Sequence, residues 1–555
     1  MPTERQDIPL LTPLRVQPGR PVITARSYTL GRENLQRHPA GRRLPVAIEF
    51  DATVAGSNVR IYREFITSND TSGDEVELDG AFPKFHHSGL TFDRCGLWRF
   101  KIIYDNDSAA TWDAAAFSYV LIEPAWIDDM RLYTLIPTAC GHFGEWQQDL
   151  DRIVAMGFNA VHILPVTAMD TSASPYAAAD LFAIDDGYVD PGDGRDAVAQ
   201  WETLVAEIKQ RGLRLCVDLA FNAVGFNSVI ARQRPHWLCE DSTEADGIRR
   251  AGWYGNGLRH KWSDLALLDY DQTRPEDREQ LWSYMTEYAN YWARYAAETN
   301  GMVRLDNLHS SHPGFTRHLV YELRKRYPDL VLFGEVFTDE ETVDDAVGDY
   351  GLNLLLGTPW EHKFVPKLRS YFDYIHSRTG ARYFTPPVSH DTGTPTQEFG
   401  CAESAIPRLF ASVFFGSGPS GIVQGFEWGC RKPIPFIGRR PRDTAAIAYD
   451  LRPQITDYNR IVASANCFQQ QGNLKFVDDN HDAVIAAVRQ DTGGAAHFLL
   501  AANFDTESSQ TVVIDTAAYN LEGVDATDVQ TSELITLPPV LTLELPPCGV
   551  RILRV

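Results

Sequence analysis

The residues able to do chemistry in this 555-residue chain gather at the ends of short apolar runs. In MVRLDNLHS, residues 302–310, Arg304 interrupts and Asp306 closes one such run. Side chains alternate along a strand with period two, so residues at i and i+2 face the same way. Two opposite charges on one buried face are expensive unless they pair. The pair either stitches a core or belongs to a site, and further converging acids decide between these. Asp218 stands near the end of LRLCVDLAF with Asn222 four residues on, Glu335 follows VLFG, and His390 and Asp391 follow RYFTPPVS. One acid after a strand is usually a helix cap or a satisfied core group. Four brought together repel and raise one another's pKa, which a purely structural core has no reason to carry.

Clustered carboxylates serve either a metal or acid–base chemistry. A metal site would ordinarily bring histidines at ligand spacing, as in HExxH or HxH, and neither occurs. No metal site and no cofactor is therefore expected. Glycoside cleavage needs a nucleophile and a proton donor, with carboxyl groups about 5–5.5 Å apart in retaining enzymes. Neighbouring strands lie about 5 Å apart, so Asp306 and Glu335, ending consecutive strands, meet that spacing. Arg304 is expected to keep Asp306 ionised for attack. Glu335, in the apolar setting FGEVF, is expected to stay protonated as the acid.

Such residues need a scaffold that sets strand ends side by side. Eight apolar runs read as strands: RLYTLIP, NAVHILPV, LRLCVDLAF, MVRLD, DLVLFGEVF, YGLNLLLG, RYFTPPVSHD and SGIVQGFEWG. Helical faces lie between them, such as Trp146, Leu150, Ile153 and Met156, or Leu281, Met285, Tyr288, Trp292 and Tyr295. Repeated strand–helix–strand units give parallel strands with right-handed crossovers. The expected fold is α/β, a (β/α)8 TIM barrel, whose active sites lie at the carboxyl ends of the strands. No GxGxxG turn supports a doubly wound sheet. The expected division is an arm to about residue 40 and a β-sandwich within 1–125, the barrel over 126–455 with an insertion at about 222–275, and a C-terminal β-sandwich over 456–555. SPYAAADLFAID reads as a loop, and the pattern from about 455 reads as short alternating strands.

The formal charge of −23 argues against nucleic-acid and anionic-membrane partners and for a neutral ligand. The sequence shows neither a signal-peptide pattern nor an apolar run of membrane length, so a soluble, cytoplasmic protein is expected. Eight scattered cysteines without a CxxC pair read as reduced thiols. Nothing in the sequence sets the oligomeric state.

The set Asp218–Asn222, VRLDNLH, FGEVF and VSHD resembles the four sequence regions of the α-amylase superfamily, glycoside hydrolase family 13, in order and strand placement over roughly 130–430. IPTACGHFGEWQQDLDRIVAMGFNAVHILPV and VRLDNLHS are most similar to the glucanotransferase half of glycogen-debranching enzymes. The Arg–Leu–Asp–Asn–x–His core is also similar to bacterial maltosyltransferases that use maltose 1-phosphate.

The resemblance implies a retaining enzyme acting on an α-glucan or maltooligosaccharide. It would cleave α-1,4-glucosidic bonds through a glycosyl-aspartate, with transfer to a sugar or to water. A maltose 1-phosphate maltosyltransferase and a catalytically degenerate carbohydrate-binding barrel are the alternatives. By the same resemblance Asp306 is the nucleophile, Glu335 the acid/base and Asp391 the third acid. Arg304 orients Asp306, His390 bonds the same sugar, Asp218 braces the site, and Asn222 is a further substrate-binding candidate. Tyr176 is placed like the stacking tyrosine at the cleaved sugar, and His309 like an acceptor-side contact. One position departs from the family: Ala223 follows Asn222 where a histidine is usual.

Overall fold

A computed structural model describes residues 22–23, 28–29 and 35–555, apart from 50–57, 67–72, 82–83, 107–108, 111–117, 256–257, 349, 379, 441–446, 478–480, 492–493 and 495. Most of the N-terminal arm therefore lies outside the described residues. Its end is not an arm: Leu35–Pro39 is a strand, paired in parallel with Ser118–Glu123.

The centre of the molecule is an eight-stranded parallel sheet: β1 Arg131–Leu135, β2 Ala160–Ile163, β3 Arg214–Leu219, β4 Met302–Leu305, β5 Val331–Gly334, β6 Leu354–Leu356, β7 Tyr383–Phe384 and β8 Ser420–Val423. Neighbours run β7-β6-β5-β4-β3-β2-β1-β8, so β8 returns to β1. Between β7 and β8 the ring is bridged by the Thr385 N–H donating to the Pro419 carbonyl at 3.3 Å. This is the expected TIM barrel, with all eight strands at the expected runs. Gly421 in β8 has its reason here, because any Cβ would run into the Leu132 carbonyl of β1.

Helices cover the outside: α1 Trp146–Ala155, α2 Ala197–Gln210, α3 Pro275–Glu298, α4 Pro313–Arg326, α5 Glu340–Gly348, α6 Val365–Ser377 and α7 Ala405–Phe414. In α3, Pro275 opens the helix where no N–H is needed, and Glu276 and Asp277 sit at its positive end. Leu281, Met285, Tyr288, Trp292 and Tyr295, spaced four and three apart, bury one stripe against the barrel.

Three readings are corrected. SPYAAADLFAID is not all loop, because Ala178–Ile184 pairs antiparallel with Thr167–Met169. The stretch from about 455 begins as a helix, α8 Arg452–Ser464, and strands start only at Leu474. Ile455, Tyr458, Ile461 and Val462 supply its buried stripe, a 3.6-residue period that outweighs the alternation following it. Before the barrel, strands at Gly73–Glu77 and Lys84–Leu90 join those expected; the former has almost no buried face, hence no apolar signal. Mainly antiparallel sheets thus flank the barrel on both sides of the sequence.

A buried ionic network ties the first of these sheets to the barrel. Glu123 accepts from Arg37 Nε at 3.1 Å and from Arg382 just before β7. Burial alone would raise this carboxyl, but the two guanidiniums outweigh it and hold it down at about 2.

Candidate active site

Arg304 lies within β4 with only 1% of its side chain exposed. Strand register places it opposite Asp218 of β3. Its Nη1 donates to Asp218 Oδ1 and Oδ2 at 2.9 and 2.7 Å and to Asp306 Oδ1 at 2.8 Å. Its Nη2 stands 2.8 Å from Glu335 Oε1. One guanidinium therefore faces the acids of three consecutive strands. Adjacent strand ends are close enough for one planar, two-nitrogen group to reach Glu335 as well as Asp306.

Backbone geometry holds the second carboxylate as well. Asn307, directly after Asp306, takes a left-handed conformation with φ 47°, which asparagine tolerates better than most side chains. Its N–H then donates to Glu335 Oε2 at 2.8 Å. The chain leaving β4 thus bonds the acid that ends β5.

Asp306 keeps 17% of its side chain open. Burial pushes its carboxyl well above the ordinary range; Arg304 opposes this, and the charges of Glu335, Asp218 and Asp391 add to it. The expected effect of Arg304, favouring the ionised form of Asp306, is thus opposed by burial and by three neighbouring acids. Asp218 goes the other way. Burial would raise it, but Arg304 and the His162 ring hold it far below the ordinary range.

Asp391 and His390 follow β7. Asp391 is 49% exposed at the cavity surface, yet it lies deep enough among protein atoms that desolvation pushes it up to about 6. His390 Nε2 is 3.2 Å from Asp391 Oδ2. Burial, with Arg304 and His162 nearby, drives His390 down to about 3, so its ring is neutral at pH 7. The Tyr176 hydroxyl donates to Asp218 Oδ2 at 2.9 Å, and its ring stacks on His390 at 11° with centroids 5.8 Å apart. Phe436, in the segment after β8, sets its edge against both rings at 5.7 and 5.4 Å.

The site residues read from the sequence fall into two groups. Arg304, Asp306, Glu335, Asp218, Tyr176, His390 and Asp391 form one connected cluster. His309 is bound to backbone, its Nδ1 accepting from the Phe337 N–H at 3.4 Å on the segment leaving Glu335. Asn222 is buried, and its carbonyl accepts from the Leu268 N–H at 3.0 Å. Among the described residues no side-chain hydrogen bond joins it to the acids. Ala223 is 2% exposed and paired with Leu267 in the insertion's small antiparallel sheet.

Two members were missed from sequence. His162 in β2 places Nε2 3.0 Å from Asp218 Oδ2. A histidine inside an otherwise apolar strand, NAVHILPV, was the available signal. Tyr288, read only as part of the α3 stripe, faces Asp218 and Asp306; nothing distinguished it from its apolar neighbours.

The fold is that of the α-amylases. A crystal structure of an α-amylase from Lactobacillus plantarum superimposes with a TM-score of 0.61 at 16% identity, covering 78% of this chain and 100% of that one. A cyclomaltodextrinase superimposes with a TM-score of 0.63 at 15% identity, covering 93% and 97%. In sequence, residues 124–241 match the family of the glucanotransferase domain of glycogen debranching enzyme. The α-1,4-glucan:maltose-1-phosphate maltosyltransferase of Mycolicibacterium smegmatis is 24% identical over 433 residues, 69% of this chain. The chain spans 57% of that relative's length. In fold and in sequence the chain is similar to members of the α-amylase superfamily, as its motifs led one to expect. No helix among the described residues is long and apolar enough to cross a membrane.

Proposed function

We propose that the chain is a retaining α-glucan-active enzyme that cleaves α-1,4-glucosidic bonds and passes the glycosyl unit to a sugar acceptor. The observation that carries this reading is the sharing of Arg304 between Asp306 and Glu335 at the ends of β4 and β5. Two carboxylates on neighbouring strand ends suit double displacement. Asp306 attacks the anomeric carbon while Glu335 gives its proton to the departing glycosidic oxygen. Glu335, now a carboxylate, takes the proton of an acceptor hydroxyl as that oxygen displaces Asp306. Cleavage requires the charge on Asp306 and the proton on Glu335. Asp391, His390 and Tyr176 line the place where the sugar ring would sit, with Asp391 steadying the positive charge that develops on it.

Transfer is favoured over hydrolysis by the debranching glucanotransferase match and by the maltosyltransferase relatives. Those relatives also support a second reading, in which the donor is maltose 1-phosphate and the leaving group phosphate. Incubation with maltoheptaose, with and without inorganic phosphate, separates the outcomes when products are resolved by length. Longer and shorter chains together mean disproportionation, and reducing ends without longer chains mean hydrolysis. Consumption only with phosphate, or chain extension from maltose 1-phosphate, means the second reading. Failure of all α-glucan donors, with Asp306→Asn indistinguishable from the parent protein, would leave a binding barrel.

A further inference from the structure

His162 takes no part in the chemistry above, yet it is buried with both ring nitrogens engaged. Nε2 is 3.0 Å from Asp218 Oδ2, and Nδ1 is 3.2 Å from Thr134 Oγ1 of β1. An ionised carboxylate only accepts, so the ring donates from Nε2; the Thr134 hydroxyl then donates to the bare Nδ1. Thr134 therefore selects the tautomer that Asp218 needs. Asp218 Oδ2 is met by three donors: His162, the Tyr176 hydroxyl at 2.9 Å and Arg304 Nη1 at 2.7 Å. Of these, only Arg304 also pairs with Asp306 and Glu335.

We propose that His162 is a positioning residue for the carboxylate cluster: by giving Asp218 a donor of its own, it leaves the Arg304 guanidinium to be shared with Asp306 and Glu335. A buried carboxylate short of one hydrogen bond draws harder on its remaining cation. Without the His162 donor, Arg304 is pulled toward β3. Asp306 is then left with less positive charge and protonates at higher pH. The other titratable groups facing these residues include His390, whose ring centroid is 6.4 Å from that of His162, Tyr288 of α3, Cys216 of β3 and Asp391. None of these donates to Asp218, so none replaces the lost bond.

The kinetic half of the test rests on the glucan-cleaving reading, and the stability half does not. His162→Phe keeps a ring and removes the donor, His162→Gln restores an N–H at the Nε2 position, and Thr134→Val removes only the tautomer-setting hydroxyl. On maltoheptaose, the acid limb of the kcat/KM–pH profile of His162→Phe is expected about one pH unit higher than in the parent. Its kcat is expected to fall about tenfold, with KM changed by less than about threefold. Gln returns the limb to its place, and Thr134→Val shifts it part of the way. Independently, in urea unfolding followed by circular dichroism, the stability deficit of His162→Phe relative to His162→Gln is expected to be full at pH 7 and to shrink as pH falls below about 4. This pH-dependent difference should disappear in an Asp218→Asn background.

A packing role alone would leave the kinetic acid limb where it was and make any stability difference between Phe and Gln the same at every pH. That result overturns the proposal. If the parent acts on no glucan, the functional reading fails while the pH dependence of stability still decides the role of His162. If His162→Phe does not fold, the presence or absence of a shift in Thr134→Val decides it.

Discussion

Arg304 Nη2 stands 2.8 Å from Glu335 Oε1, while Nη1 carries the contacts with Asp218 and Asp306. The two acids proposed for cleavage are therefore held by two nitrogens of one rigid fork. Lysine supplies a single charged nitrogen and cannot make both contacts. Arg304→Lys is expected to lower kcat by about two orders of magnitude or more through lost positioning. Arg304→Met leaves three acids around an empty centre and is expected to cost about 3–5 kcal/mol of stability. Steady-state kinetics and urea unfolding check the two statements.

Asp306→Asn is expected to abolish turnover while stabilising the fold. A carboxyl whose folded pKa is raised penalises the folded state wherever the unfolded chain is ionised. The gain on substitution is thus present at pH 7 and disappears as pH falls below about 4. An increase of about 0.5–2 kcal/mol at pH 7, the usual size of relieved active-site strain, is the expected outcome of urea unfolding. Equal or lower stability at pH 7 would contradict the raised pKa.

Asp391, pushed up to about 6, and Asp306, raised by burial and by its acidic neighbours, together set the low-pH behaviour. Attack requires ionised Asp306, so kcat/KM should fall as pH drops through a value well above the ordinary carboxylate range. Asp391→Asn removes one like charge acting on Asp306. Its residual activity should show an acid limb at lower pH than the parent, as a full pH–rate profile would reveal.

Two buried histidines make folding acid-sensitive. His390 and His376 are both driven by burial to about 3. His376 Nδ1 accepts from the Gly472 N–H at 2.9 Å and its Nε2 donates to the Phe415 carbonyl at 3.1 Å. Unfolding frees each to take a proton below about pH 6.5, so stability is lost progressively from about 6.5 down to 3, by up to about 1.4 kcal/mol per pH unit and per histidine. His376→Gln should be less stable at pH 7 but should show a shallower decline. Urea midpoints over this range test the slope.

Ala223→His tests the missing family histidine. The methyl group is fully enclosed and its strand is paired with Leu267. An imidazole there is expected to overpack the segment at a cost of about 1–3 kcal/mol. A gain of hydrolysis without loss of stability would show that only the side chain, and not the surrounding packing, had departed from the family.

The barrel was legible because its signals are local. Eight apolar runs, the four-and-three spacing of α3 and the acids ending β3, β4, β5 and β7 are all statements about residues near one another in sequence. The strands of Gly73–Glu77 and the helix α8 were less legible, the first for want of a buried face and the second because it adjoins a region of true alternation.

The sequence by itself determined which residues could act, since an Arg–x–Asp on a buried strand and acids after its neighbours have few structural uses. Tertiary structure alone decided how they share charge. Arg304 is divided among Asp218, Asp306 and Glu335, and His162 from β2 supplies Asp218 with a donor. Except for Asp306, two residues from Arg304, these partners lie 31 to 86 residues apart. Coulomb energy and desolvation depend on distance and burial in space, so only the closed barrel sets which carboxylate keeps its charge.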